Sequence, residues 1–349
     1  MPAVASAPCF VAFSGGRDSS AVLAVATELA RREGLPDPIP VTEVYPAVPE
    51  SDESAWQHLV LDHLDLREWL RIELVEGNDY LNPHASESLK TRGLIWPPAL
   101  HAKPAILSRL GSGSLLTGEG GDEVLGRRRG AQVSRLWRRG KRPDVTALRS
   151  AAGALAPEPI RRRRVLASLN ESTMQPWISA EVRMRHHRLL AADWASEPLG
   201  TARSLEWLLA RRSAAAASHN YGTLAAEFGL ALREPFLDPS FVRSFARHTG
   251  RWGFASRTEA MRVLFGDLLP DAIVTRRSKA YFNRAFMGAA TRSFARTWDG
   301  AGVDPELVDC DVLRAEWLSD MPSAISSLLL QAAWLGSNRP SAIPHRQKS

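Results

Sequence analysis

Ser14-Gly-Gly-Arg-Asp-Ser-Ser20 is the stretch on which the fold of this chain turns. The short apolar run Cys9-Phe-Val-Ala-Phe13 precedes it, and an amphipathic stretch from Ser19 to Arg32 follows. That order reads as strand, glycine loop, helix. Glycine lets the backbone turn tightly and approach a ligand closely. A helix start offers backbone N–H groups and the positive end of the helix dipole, both suited to phosphate. Ser14, Gly15, Gly16, Ser19 and Ser20 are therefore the expected phosphate cradle, although the same residues also suit an ordinary turn with a serine N-cap. Asp18 places a carboxylate beside that anion site, and the two charges coexist best with a divalent cation between them.

About a hundred residues on, Leu116-Thr-Gly-Glu-Gly-Gly-Asp-Glu123 repeats the pattern. Ser114 to Thr117 is another short strand-like run. Gly118, Gly120 and Gly121 leave the backbone bare, and Glu119, Asp122 and Glu123 supply acids. In an open parallel sheet, ligands sit beyond the carboxyl ends of the strands. Two such loops at one edge would face a single nucleotide, with Asp18 and Asp122 sharing a magnesium ion.

The rest of the chain fits an α/β architecture. Strand-like runs at 9–13, 39–45, 69–75 and 114–117 alternate with helix-like runs at 19–33, 52–64 and 99–110, which implies a doubly wound parallel sheet. From about residue 143 the pattern turns helical and alanine-rich, notably Ser204 to Phe228 and Arg257 to Leu268. We divide the chain into a nucleotide-binding part (1–142), a helical part on the substrate side (143–336) and a loose tail (337–349). Ala151 to Arg164, with Pro157, Pro159 and an arginine run, reads as an exposed connection.

Composition is that of an ordinary globular protein, with 349 residues and a net charge of +6. No apolar run reaches the ~20 residues of a membrane helix, and the N-terminus lacks a secretory pattern. A cytoplasmic location is the expectation. Cys9 and Cys310 are far apart and support neither a disulfide framework nor a cysteine metal site. Lys and Arg total 44, of which only five are lysine. Arginines cluster at 127–129, 138–142 and 161–164. Without interleaved stacking aromatics, these runs read as solvated surface before they read as a nucleic-acid site, although Arg127 to Arg129 follow the second loop directly.

SGGxDS followed by GEGxDE resembles the signature pair of the asparagine synthetase synthetase domain, a member of the PP-loop ATP pyrophosphatases. Arg233-Glu-Pro-Phe-Leu-Asp238 resembles that family's R-x-P-F-L-D segment, and Leu269-Pro-Asp-Ala-Ile-Val-Thr-Arg276 with Lys279 resembles its L-P…R…K segment. The four motifs keep the family's order from residue 14 to about 282. The resemblance implies an AMP-forming carbon–nitrogen ligase that uses ATP and Mg2+. A carboxylate, that of aspartate or a similar molecule, is activated as an acyl-adenylate with release of pyrophosphate, and ammonia or an amine then displaces AMP.

On that resemblance Gly118 and Gly120 join the ATP-binding loops, Asp18 and Asp122 hold the metal, and Lys279 neutralises the departing pyrophosphate, with Arg276 as a second phosphate contact. Glu119 is the candidate general acid/base; asparagine synthetases keep glutamate there, whereas β-lactam synthetases carry tyrosine. Glu119 would equally serve as a structural carboxylate bonding loop amides. Arg17 departs from the family's usual apolar residue. Arg233 and Asp238 read better as a buried structural pair than as substrate contacts. Trp96, Pro97, Pro98 and His101 are candidates for an acyl pocket, or plain packing.

With Pro at position 2 and the phosphate loop at residue 14, we expect no N-terminal glutaminase domain. The amide nitrogen would then come from free ammonia, from a separate glutaminase or biosynthetic partner protein, or from an amine of another small molecule or peptide, as in β-lactam synthetases and lasso-peptide cyclases. A PP-loop tRNA-modifying enzyme would account for the arginine runs, but CxxC is missing. A non-catalytic nucleotide-binding subunit would be expected to have lost some of Asp18, Glu119, Asp122 and Lys279.

Overall fold

The computed structural model describes residues 2–75, 78–138, 145–172, 174–278 and 283–338. The chain forms two compact units, whose ranges interleave along the sequence.

The first unit, built from residues 1–75, 106–172 and 184–281, contains a five-stranded, all-parallel sheet. Strands β1 (Cys9–Ala12), β2 (Ile39–Val44), β3 (Leu70–Glu73), β4 (Gly113–Leu116) and β5 (Leu230–Arg233) lie in the order β3-β2-β1-β4-β5. The apolar run Cys9-Phe-Val is buried, as a central parallel strand covered on both faces requires. β1 pairs with β2 on one side (Phe10 opposite Ile39) and with β4 on the other (Phe10 opposite Leu115). The chain winds outward from β1 to β3 and then returns to the far side of β1, so the strand order reverses between β1 and β4. In this class of fold, that reversal opens a crevice for ligands.

Helix Arg17–Arg32 follows β1 and buries Ala21, Leu23, Ala24 and Ala30. Leu23 joins a core with Val11, Leu116, Leu205, Met261 and Ile273. Each such fully buried aliphatic side chain contributes about 1.5–3 kcal/mol of transfer free energy.

The second unit (76–105, 173–183 and 282–349) has its own core, in which the Trp298 and Trp317 rings lie 4.8 Å apart, with Leu89, Met287 and Leu330 around them. Trp317 is fully buried, and its indole N–H donates to the Ser326 hydroxyl at 3.1 Å, so the ring is inside without an unsatisfied donor. Asp79 is also buried. It accepts hydrogen bonds from the Thr291 hydroxyl at 2.6 Å and from the amides of Leu81 and Thr291.

All four anticipated strands are present, and the α/β class is as expected. Several expectations need correction. The expected helix at 99–110 is a 3-10 turn, Pro98–Ala102, followed by a single helical turn, Pro104–Leu107; Pro104 has no N–H with which to continue a helix. The expected connection at 151–164 is helical, formed by helices Val145–Leu155 and Glu158–Asn170. Pro157 caps the second helix and Pro159 lies in its first turn, where proline is favoured. The stretch 204–228 divides into Thr201–Leu209 and Arg212–Glu227. β5 was not anticipated, because four apolar-to-basic residues after a long helix carry no strand period. Residues 339–349 of the expected loose tail lie outside the described residues. No helix among the described residues is long and apolar enough to cross a membrane.

Candidate active site

The two glycine loops leave the carboxyl ends of neighbouring strands and touch. At Gly118 a Cβ atom would sit 2.8 Å from the Ser19 amide nitrogen, and Gly121 directly faces the Asp18 carboxyl group. Both positions leave room for hydrogen only. Gly15 adopts φ +77°, a left-handed conformation that side chains disfavour, and packs against Trp56 and Gln57. Gly120, at φ +83°, faces Leu237 of the third motif, which follows β5. The carboxyl ends of β1, β4 and β5 thus bring three of the sequence motifs together.

Within the first loop, the Ser19 hydroxyl lies 3.1 Å from that of Ser14, accepts from the Ser14 amide and donates to the Gly16 carbonyl. Gln57 donates to the Ser14 carbonyl at 3.3 Å. Gly16 caps helix Arg17–Arg32 in an extended conformation, and no side chain caps that helix start. Helix Arg257–Phe265, by contrast, starts with the Ser256 hydroxyl on the Glu259 amide. The first helix start therefore keeps its positive end for a ligand. Ser20 is a correction: it is fully buried, and its hydroxyl has no hydrogen-bond partner, because its place in the first helical turn faces the core.

Asp18 and Asp122 converge on a residue that the sequence did not single out. The Arg257 guanidinium forms an ion pair with each carboxylate, Nη2 to Asp18 and Nη1 to Asp122. Asp18 and Arg257 are largely buried, whereas the Asp122 side chain is 53% exposed. Burial raises the Asp18 carboxyl pKa above its ordinary value, and Arg257 only partly offsets this. The other oxygen of Asp18, Oδ1, is buried and has no hydrogen-bond partner. Two carboxylates within reach of one cation, one of them with an unused inner oxygen, suit a divalent metal ion.

A local signal for Arg257 exists in Ser256-Arg-Thr-Glu259, which has the sequence of a capping box, with the Glu259 side chain reaching the amide one residue before the cap. The Ser256 hydroxyl accepts from the Glu259 amide at 3.1 Å, and the Glu259 carboxylate accepts from the Ala255 amide at 2.8 Å. This fixes the helix start and hence the place of Arg257. Arg17 lies beside it and donates to the Thr258 hydroxyl at 3.4 Å. Burial, followed by the neighbouring Arg257 charge, lowers the Arg17 pKa.

Arg276, expected as a phosphate contact, stands behind the loop. It donates to the Gly15 carbonyl at 2.9 Å, to Glu53 at 2.6 Å and to the Ser278 hydroxyl at 3.1 Å, and its guanidinium lies over the Trp56 ring. These contacts make it a buried brace that fixes the shape of the first loop. Glu119 is exposed on the second loop, and its amide donates to the Thr117 hydroxyl at 3.4 Å. Lys279 lies outside the described residues.

Other readings change. Arg233 and Asp238 form no buried pair. Both are exposed; Arg233 donates to the Leu232 carbonyl, and Asp238 caps helix Pro239–Thr249 through the Ser240 and Phe241 amides, which lower its pKa. Arg127 to Arg129 do not act as one cluster, because Arg129 turns inward to the carbonyls of Ala154 and Glu197. Trp96 and His101 belong to the second unit, where His101 is fully buried 3.0 Å from the Ser88 hydroxyl.

The family model described as asparagine synthase matches residues 1–335. No curated protein matches the chain.

Proposed function

We propose that this chain, which belongs to the asparagine synthase family of ATP-dependent amide ligases, activates a carboxylate as an acyl-adenylate and passes it to ammonia or an amine. The observation that carries the reading is the meeting of Asp18 and Asp122 on one cationic group, at the point where the strand order reverses.

The residues divide the work as follows. The amide-rich turn at Gly15 and Gly16, and the uncapped helix start behind it, receive the phosphates of ATP. Arg276 and Gln57 hold that turn in shape from behind. Asp18 and Asp122 would hold a magnesium ion, which when bound withdraws charge from the phosphate oxygens. Arg257 and Arg17, which stand together beside Asp18, are the two cations that would offset the charge building on departing pyrophosphate. Lys279 is assigned to the same task by its motif alone. Glu119, exposed on the second loop, is assigned by its motif to take a proton from the attacking amine. The carboxylate is small or peptidic, and the amine comes free, from a separate partner protein or from the substrate itself.

The test is product analysis. The purified chain is incubated with ATP, Mg2+, aspartate and ammonium, and AMP, pyrophosphate and asparagine are measured, with Asp18→Ala as control. AMP and pyrophosphate that vanish in the control support the α-phosphate chemistry, and asparagine alongside them fixes the substrate pair. ADP in place of AMP overturns the reading.

A further inference from the structure

The helices between residues 145 and 195 present a surface that the proposed chemistry does not use. Helix Glu158–Asn170 has no buried residue in its thirteen positions. It runs antiparallel to helix Ala180–Ala195, joined by the Arg161 guanidinium on the Ala195 carbonyl at one end and by Asn170 with His187, 2.9 Å apart, at the other. Arg161 also donates to the Ala156 carbonyl, so the end of helix Val145–Leu155 meets the same corner. There three large apolar side chains stand in solvent: Leu155 at 54% exposure, Ile160 at 47% and Trp194 at 46%. Exposed Arg162, Arg163 and Arg164 continue directly from them. Across residues 145–172 and 184–195, seven arginines face three acidic residues, and one of those acids, Asp193, is already paired with Arg211.

The geometry points to a docking site for an acidic protein segment that carries apolar side chains. Exposed Trp and Arg side by side are what an interface centre is enriched in, and the charge on this corner calls for the opposite sign on its partner. A second copy of this chain is a poor occupant, because a two-fold contact would set the arginine run against itself. Trp194 is a single ring, whereas a single-stranded nucleic acid is held by several rings on which successive bases stack, and Leu155 and Ile160 supply none. A lipid surface needs an apolar face segregated from a basic one, whereas in Ile160-Arg-Arg-Arg-Arg-Val-Leu166 the two kinds are distributed all round the helix. This inference is independent of the adenylation chemistry.

The experiment measures fluorescence anisotropy of a labelled helical peptide of glutamate and leucine added to the full chain. The controls are oligoglutamate of the same charge, a single-stranded RNA of similar length and phosphatidylglycerol vesicles. The peptide should bind more tightly than all three. Arg162→Glu with Arg163→Glu should weaken it about ten-fold, and Trp194→Ala should do the same with charge unchanged. Ile160→Ser repeats the apolar arm on a residue whose exposure makes misfolding a poor explanation, and circular dichroism checks each variant. Equal binding of oligoglutamate or RNA, or indifference to Trp194→Ala and Ile160→Ser, would reduce the corner to a plain polycation and overturn the proposal. Preference for vesicles, or self-association in sedimentation that Trp194→Ala abolishes, would give the surface to a membrane or a second copy and overturn it equally.

Discussion

Replacing Arg257 by glutamine keeps most of the side chain and removes the charge that joins Asp18 to Asp122. Asp122 is half exposed, so its half of the clasp is screened and contributes little. Asp18 is 17% exposed and Arg257 21%, which places the other half among partly buried pairs. Loss of one partner of a fully buried pair costs about 3–5 kcal/mol; discounted for this residual exposure, the loss here is about 2 kcal/mol. For a unit of this size, that lowers the melting temperature by roughly 4–8 °C. The second half of the prediction is more specific. On the proposed reading magnesium and Arg257 compete for the same two carboxylates, so in the wild type magnesium without nucleotide should shift the melting temperature little. In Arg257→Gln the two carboxylates are left facing each other, and magnesium at a hundred times its dissociation constant should return about 2.7 kcal/mol. Scanning calorimetry of both proteins, with magnesium and with a chelator, reads the four values. A variant as stable as wild type in chelator, or an equal magnesium shift in both, would refute the reasoning.

Three further outcomes are expected. Gly118→Ala drives a methyl group toward the Ser19 amide, which should move the loops by a fraction of an ångström and cost AMP formation about a hundred-fold while circular dichroism stays unchanged; near-normal turnover would show that the loops need not touch. Arg276→Lys keeps a charge but loses the fork that serves Gly15, Glu53 and Ser278 together, so urea denaturation should record a loss of about 2 kcal/mol or more; a wild-type midpoint would contradict its role as a brace. Burial, followed by the nearby Arg92 charge, pushes the His101 pKa down to about 4 from 6.5. The fold therefore favours neutral His101, whose contribution is complete above pH 6.5 and is lost as pH falls toward 4, by about 2 kcal/mol between pH 6.5 and 5. His101→Gln should flatten that slope in urea titrations, and parallel slopes would remove His101 from the account.

Glycine spacing made the two loops legible, because Gly15, Gly118 and Gly121 serve the backbone and need no knowledge of the rest of the chain. The alternation of short apolar runs gave the parallel sheet for the same reason. β5 was hidden because Leu230 to Arg233 takes its strand identity from β4 beside it. Arg257 was missed although its capping box is readable, since nothing local says that this helix start lies against Asp18, 239 residues away. Arg276 was read at the right place with the wrong face: a motif gives the position of a side chain along the chain, whereas burial against Trp56 and Glu53 decides where it points. Ser20 failed likewise, since adjacent serines look alike until one of them is turned inward.

The contact between Gly118 and Ser19 also bears on how such a chain can be altered. Where Gly118 meets Ser19 there is only backbone, so at that contact there is no side chain to exchange. Substitutions at those glycines can break the site and cannot retarget it. A designer who wants a different acid or amine joined by this chain has to leave this edge of the sheet alone and vary the surfaces that meet the carboxylate, while the energy-yielding half of the reaction is inherited unchanged.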